Sequence, residues 1–177
     1  MRQRNWHRWE IAGLFFVIGW GNLLHFVYEW SGEHPVAALF SGVNESAWEH
    51  MKLLAVPWLA WTAAELLALR GRGSLFARAA GLLTGLVLIP ALYYTYTGAL
   101  GISVSLVNIV IFQLAALSAV GASFYLHRKR QLHGVLWQVL GAIVLLASAA
   151  LFAWWTFDPP QLPLFIDPVT GIAGVKT

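Results

Sequence analysis

The sequence contains no cysteine. Disulfides, thiolate metal sites and cysteine nucleophiles are thereby excluded, and the redox compartment is left open. Charge is scarce too: Asp, Glu, Lys and Arg make up 11% of the chain, against roughly 25% in an ordinary soluble domain. A water-soluble fold is disfavoured on that ground. What takes the place of charge is apolar. Hydrophobic residues account for 59% of the 177 positions, which points to one domain whose main solvent is lipid. Neither an internal repeat nor a low-complexity segment stands out.

Five apolar runs reach the length of about 20 helical residues that a hydrocarbon core requires. They extend from about Ile11 to Trp30, Met51 to Leu69, Ala77 to Thr97, Ser103 to Leu126 and Val135 to Phe157. The expected fold class is therefore all-α: an integral membrane bundle of five transmembrane helices in a single domain, 1–177. A short interfacial segment around Val36 to Phe40 and an irregular outer tail, 158–177, complete it. The tail is rich in turn formers, and its Leu162, Leu164, Phe165 and Ile166 give it a reason to pack on the bundle. Pro57 and Pro90 fall inside spans, where neighbouring groups in a membrane bundle can satisfy the freed carbonyls.

The few charges are sorted by side. Arg2, Arg4 and Arg8 precede the first run, Arg70, Arg72 and Arg78 join the second to the third, and Arg128, Lys129 and Arg130 join the fourth to the fifth. With five spans all three clusters share one face, which the positive-inside rule makes cytoplasmic. These cations therefore read as topology signals rather than as a nucleic-acid surface. The expected location is the inner, cytoplasmic membrane, with the amino terminus inside, the carboxyl tail outside and the bilayer as partner. The first run reads as a retained signal anchor, because it is long, holds His25 and Glu29, and lacks a small-x-small cleavage pattern. Trp30, Trp48, Trp154 and Trp155 fall at expected outer boundaries, where amphipathic rings prefer to sit.

Ionisable groups crowd the expected outer ends. Asn22, His25 and Glu29 form one stripe of the first helix, with His25 about 7 Å below Trp30. The stretch N-E-S-A-W-E-H-M-K, Asn44 to Lys52, adds Glu45, Ser46, Glu49 and His50. A helix starting near Asn44 would put Glu45, Glu49 and Lys52 on one face, with Ser46 and His50 on the next. Asn44 is a good helix N-cap, and Ser46 with Glu49 matches a capping box. Asn108 lies at a depth similar to that of His25. Tyr93, Tyr94 and Tyr96 read as an aromatic belt, and Glu65 as a side chain snorkelling toward Arg70.

Capping does not explain His25, Glu29 or His50, since a helix start needs no imidazole and an apolar span needs no carboxylate. His25, His50, Glu29 and Glu45 are candidate ligands for a divalent metal such as zinc, with Asp158 or Asp167 closing over from the tail. The competing reading is a proton-linked, hydrogen-bonded polar core. Three function classes follow: a protein that binds or transports an ion or small solute from the outside, a metal-dependent intramembrane hydrolase at the outer leaflet, and a structural or assembly subunit. No feature of the chain specifies an oligomeric state.

The N-E-S-x-W-E-H-x-K block, preceded by L-H-F-V-Y-E-W-S-G at 24–32 and followed by D-P-V-T-G at 167–171, resembles an uncharacterised family of small prokaryotic multi-pass membrane proteins, a domain of unknown function. The resemblance covers most of the chain. It implies a multi-pass membrane protein and carries no activity. A fainter similarity links S46-x-x-x-H50 to intramembrane hydrolases of the alkaline ceramidase type, which use a Ser and several His around zinc. The later H-x-x-x-H pair of that type is missing here.

Overall fold

The computed structural model describes residues 3–69 and 73–175. Among the described residues every named element is helical, and the tail adds one isolated antiparallel bridge, Ile166 with Ala173. Its elements are α1 (Gln3–Trp30), the single turn α2 (Pro35–Ala38), α3 (Ala47–Ala68), α4 (Leu75–Leu100), α5 (Ser105–His127), a 3₁₀ turn (Arg130–His133) and α6 (Val135–Phe157). Five helices are long and apolar enough to cross a membrane, as the five apolar runs require. The chain is thus a multi-pass helical membrane protein. Some observed ends differ from the expected ones: α1 starts at Gln3 rather than Ile11, α3 at Ala47 rather than Met51, and α4 runs on to Leu100. Gly101, with φ of 70°, closes α4 in the left-handed conformation that a glycine adopts without strain.

Long helices consecutive in the chain run antiparallel, while α4 and α6 start side by side and run parallel. The pairings Gly13 with Trp61 and Gly21 with Leu53 set α1 against α3, and Gly81 and Gly85 set α4 against both α3 and α5. Between apolar helices in lipid, packing rather than water exclusion drives association, so small residues at the seams matter. A Cβ on Gly81 would stand 2.6 Å from the Ala119 carbonyl oxygen, and one on Gly141 would intrude on the Leu75–Phe76 backbone. Leu54, Ala55, Trp58, Leu82, Ala115, Ala116 and Ala119 form the centre of the core.

The bundle has two chemically distinct ends. At the basic end lie the start of α1 and the α3–α4 and α5–α6 connections. The opposite, acidic end carries Glu29, Glu33 and Glu45, the α1–α3 connection and the tail. There α2 turns inward at Ala38, which is fully buried, while Val36 and Phe40 remain exposed. The tail packs as an irregular cap. The Trp48 amide donates to the Leu164 carbonyl over 2.9 Å, and Phe165 lies against the rings of Trp48 and Trp155. Trp48 is consequently buried in an aromatic cluster with Phe152, not displayed at a boundary as its position in the sequence suggests. Trp30 and Trp154 are exposed.

Candidate binding site at the acidic end

The helix that organises this end starts at Ala47, not near Asn44. Ser46, not Asn44, is the N-cap of α3: its hydroxyl accepts from the Glu49 amide. Asn44 Oδ1 accepts from the Ser46 amide over 2.9 Å, and its Nδ2 donates to the Gly174 carbonyl over 3.0 Å, pinning the tail. Glu49 does not complete a reciprocal capping box. Its carboxylate accepts instead from the Val43 amide and meets Lys52 Nζ at 2.6 Å.

That Glu49–Lys52 contact is an i,i+3 pair within α3, and it lies in the interior rather than at the membrane interface. Both side chains are buried, and Lys52 also donates to the Ala38 carbonyl over 2.8 Å and to Thr156 Oγ1 over 2.9 Å. A lysine with three acceptors and no solvent ties α2, α3 and α6 together. Its role is structural, and it adds no free positive charge to the cleft beside it.

Because Glu45 precedes the helix, it is not held on the face of Glu49 and turns toward α1. Its Oε1 lies 3.3 Å from His25 Nε2, and its Oε2 lies 3.7 Å from His50 Nε2. The two imidazoles, from different helices, have ring centroids 5.7 Å apart. The hydrogen bond from His25 holds the Glu45 carboxyl below its ordinary range; partial burial opposes this, and attraction to the two imidazoles adds to it. Glu45 is therefore an anion at neutral pH.

His50 is oriented from its other side. Its Nδ1 donates to the Ser46 carbonyl over 2.9 Å, so Nε2 of the neutral ring presents a lone pair. In that form an imidazole lone pair and a carboxylate oxygen lie 3.7 Å apart, two acceptors that N–H donors of one ligand can engage together.

Two clefts meet at this point. One, of about 430 Å³, lies between α1 and α5 and is lined by His25, Glu45, His50, Tyr93, Ser105 and Asn108, among others. The second, of about 390 Å³, is lined by His25, Tyr28, Glu29, Glu45 and the tail turn at Asp167 and Thr170. Asn108 belongs to a hydroxyl cluster on the far wall: Tyr96 Oη donates to its Oδ1, and its Nδ2 donates to Ser103 Oγ over 3.2 Å. Tyr96 also accepts from the Val104 amide, so it anchors a loop and is more than a belt residue.

The nine sequence candidates therefore divide. His25, Glu45, His50 and Asn108 line the larger cleft; Glu29 and Asn44 line the smaller. Ser46, Glu49 and Lys52 are committed to capping and to the buried pair. Ser46 and His50 do meet, but through the Ser46 carbonyl, with the hydroxyl spent on the cap. Among the described residues no group of three or more His, Asp or Glu has the geometry to hold a metal ion. Asp167 accepts from the Val169 amide and from Thr170 Oγ1, both over 2.8 Å, and shapes its own turn.

One cluster escapes a reading of the sequence. Glu65 is buried and does not snorkel: its Oε2 lies 2.7 Å from Arg78 NH2, while Arg78 NH1 lies 3.1 Å from Glu10. Arg70, its expected partner, falls outside the described residues. The signal available was Arg78 itself, which stands inside the first turn of α4 rather than in a loop.

Residues 1–175 match a family of unknown function, DUF6512. No curated protein and no solved structure matches the chain.

Proposed function

We propose that this chain, which belongs to the DUF6512 family, binds a small cationic solute bearing N–H donors, an amine or ammonium, in the cleft at its acidic end. One observation carries the reading: the Glu45 carboxylate and the His50 Nε2 lone pair face each other 3.7 Å apart at the junction of two clefts. An N–H donor with positive charge satisfies both acceptors at once, and a charge-assisted bond to Glu45 would be the stronger of the two. Volume favours an organic solute over a bare ion, since about 430 Å³ falls within the ~300–1,000 Å³ range of small-molecule sites. Charge agrees with this. Glu29 and Glu45 bring carboxyl groups to the clefts, and Lys52, the lysine described at this end, is locked to Glu49. Phe26, Tyr28 and Tyr93 supply aromatic surface that also attracts cations.

The basic clusters support a reading in which the other end of the bundle, with the amino terminus, faces the cytoplasm across an inner membrane. On that assignment the solute enters from outside. A divalent metal such as zinc is the competing occupant, and it separates the binding reading from metal-dependent hydrolysis.

Calorimetric titration of the full chain in lipid nanodiscs tests this with methylammonium, tetramethylammonium and zinc chloride as probes. Methylammonium should bind at least about tenfold more tightly than tetramethylammonium, which lacks N–H donors; tenfold corresponds to about 1.4 kcal/mol. Glu45→Gln should weaken methylammonium by a similar factor, and Glu33→Gln should leave it unchanged. Equal binding of the two ammonium ions, no binding of either, or tight stoichiometric zinc binding alone would remove the reading.

A further inference from the structure

The larger cleft changes character with depth. Gly21 of α1 lies so close to the Phe112 ring of α5 and the Leu53 carbonyl of α3 that a Cβ there would collide with both. From that contact outward the cleft occupies the space between α1 and α5. Its inner walls are Gly21, Leu53, Ile109 and Phe112, and Asn22 beside them spends its Nδ2 on the Ile18 carbonyl. His25 stands four residues further along α1, about 6 Å outward at 1.5 Å per residue, and Glu45 and His50 meet it there. The cleft is thus apolar at its inner end and polar at its outer end.

Its lips face lipid. Phe26 of α1 and Ile109 of α5 both line the cleft, yet they are 47% and 50% exposed. Each lies four residues inside the end of a helix long and apolar enough to span the membrane, a depth of about 6 Å, where exposed side chains meet the outer part of a leaflet. A hydrophilic amine would leave the inner walls uncovered, whereas each methylene moved from water onto such a surface is worth up to about fourfold in affinity. No lysine or arginine is among the described lining residues, so a phosphate-bearing headgroup finds no counter-charge in them.

We infer that the occupant is a lipophilic amine, a class that rests on the amine reading above and narrows it to amphiphiles without phosphate. Its ammonium sits between Glu45 and His50, its hydrocarbon chain lies along Gly21 and Phe112, and it enters from the adjoining leaflet between Phe26 and Ile109.

Calorimetric titration of the full chain in nanodiscs, blanked against empty nanodiscs, tests this with methylammonium, hexylammonium and 6-hydroxyhexylammonium. Hexylammonium should bind at least about tenfold more tightly than methylammonium, and the terminal hydroxyl should remove most of that gain. Ile109→Trp fills the mouth and should cut the hexyl-to-methyl affinity ratio to about threefold or less, a change that general partitioning into lipid would not show. Should that variant fail to fold, the hydroxylated probe decides on the unaltered chain. Methylammonium binding with no hexyl gain, or a gain kept by 6-hydroxyhexylammonium or by Ile109→Trp, overturns the lipophilic assignment and leaves the amine reading standing. Binding of neither simple amine, or hexylammonium binding indifferent to Glu45→Gln, defeats both.

Discussion

Glu45 Oε1 lies 3.3 Å from His25 Nε2, a hydrogen bond that joins the turn ahead of α3 to the last turns of α1. That bond holds the Glu45 carboxyl below its ordinary range. A carboxyl depressed in the folded state contributes stability above its unfolded pKa, and the contribution fades as pH falls through the folded value. Since the carboxylate is 48% exposed, its share is that of a solvent-screened pair, about 0.2–1 kcal/mol. The melting temperature of the full chain should therefore drop on acidification through and below the carboxylate range, and Glu45→Gln should flatten that part of the profile. An identical acid slope in the variant would contradict the coupling.

Lys52 and Glu49 behave differently because neither meets solvent. Removing one partner leaves a buried charge uncompensated, which typically costs about 3–5 kcal/mol. Lys52→Met should accordingly be strongly destabilising in denaturation of nanodisc-embedded protein. The double replacement Glu49→Leu with Lys52→Met removes both charges and should recover much of that loss. A double variant as unstable as the sum of the two singles would show that the bonds to Ala38 and Thr156, rather than the ion pair, dominate.

Glycines at the helix seams should split by environment. A Cβ on Gly141 runs into the Leu75–Phe76 backbone, whereas one on Gly121 meets open space. Gly141→Ala should push α6 away from α4 at a cost of about 1–3 kcal/mol, the usual scale of overpacking. Gly121→Ala should instead be neutral or stabilising by up to about 1 kcal/mol, from helix propensity alone. Comparable losses at both positions, measured by thermal unfolding, would mean that the α4–α6 seam is not packed as described.

The larger part of the fold was legible because span length and hydropathy are properties of contiguous residues. The bilayer's thickness converts a run such as Val135 to Phe157 directly into a helix. The site was legible only in outline. His25, Glu45 and His50 could be picked out because apolar spans tolerate few ionisable groups. Their relation was misjudged, since a helix start placed at Asn44 rather than Ala47 rotates Glu45 away from the direction it actually takes. The Glu10–Arg78 pair is not legible because Glu10 sits near the chain's basic start and Arg78 reads as one of the topology cations.

The order of apolar runs and the sorting of charge between them determined, without any coordinates, that this protein is a five-span helical bundle with one acidic and one basic end. Which ionisable groups touch is another matter. Contacts such as Glu10 with Arg78 or Lys52 with Thr156 join residues 68 and 104 positions apart, and no local pattern encodes them. Only the packing of α1, α3, α4, α5 and α6 decided that one lysine would be a buried lock, one glutamate a bridge between two histidines, and another a partner in a shared guanidinium. Each such outcome depends on which neighbours exclude water and supply the matching donor or acceptor.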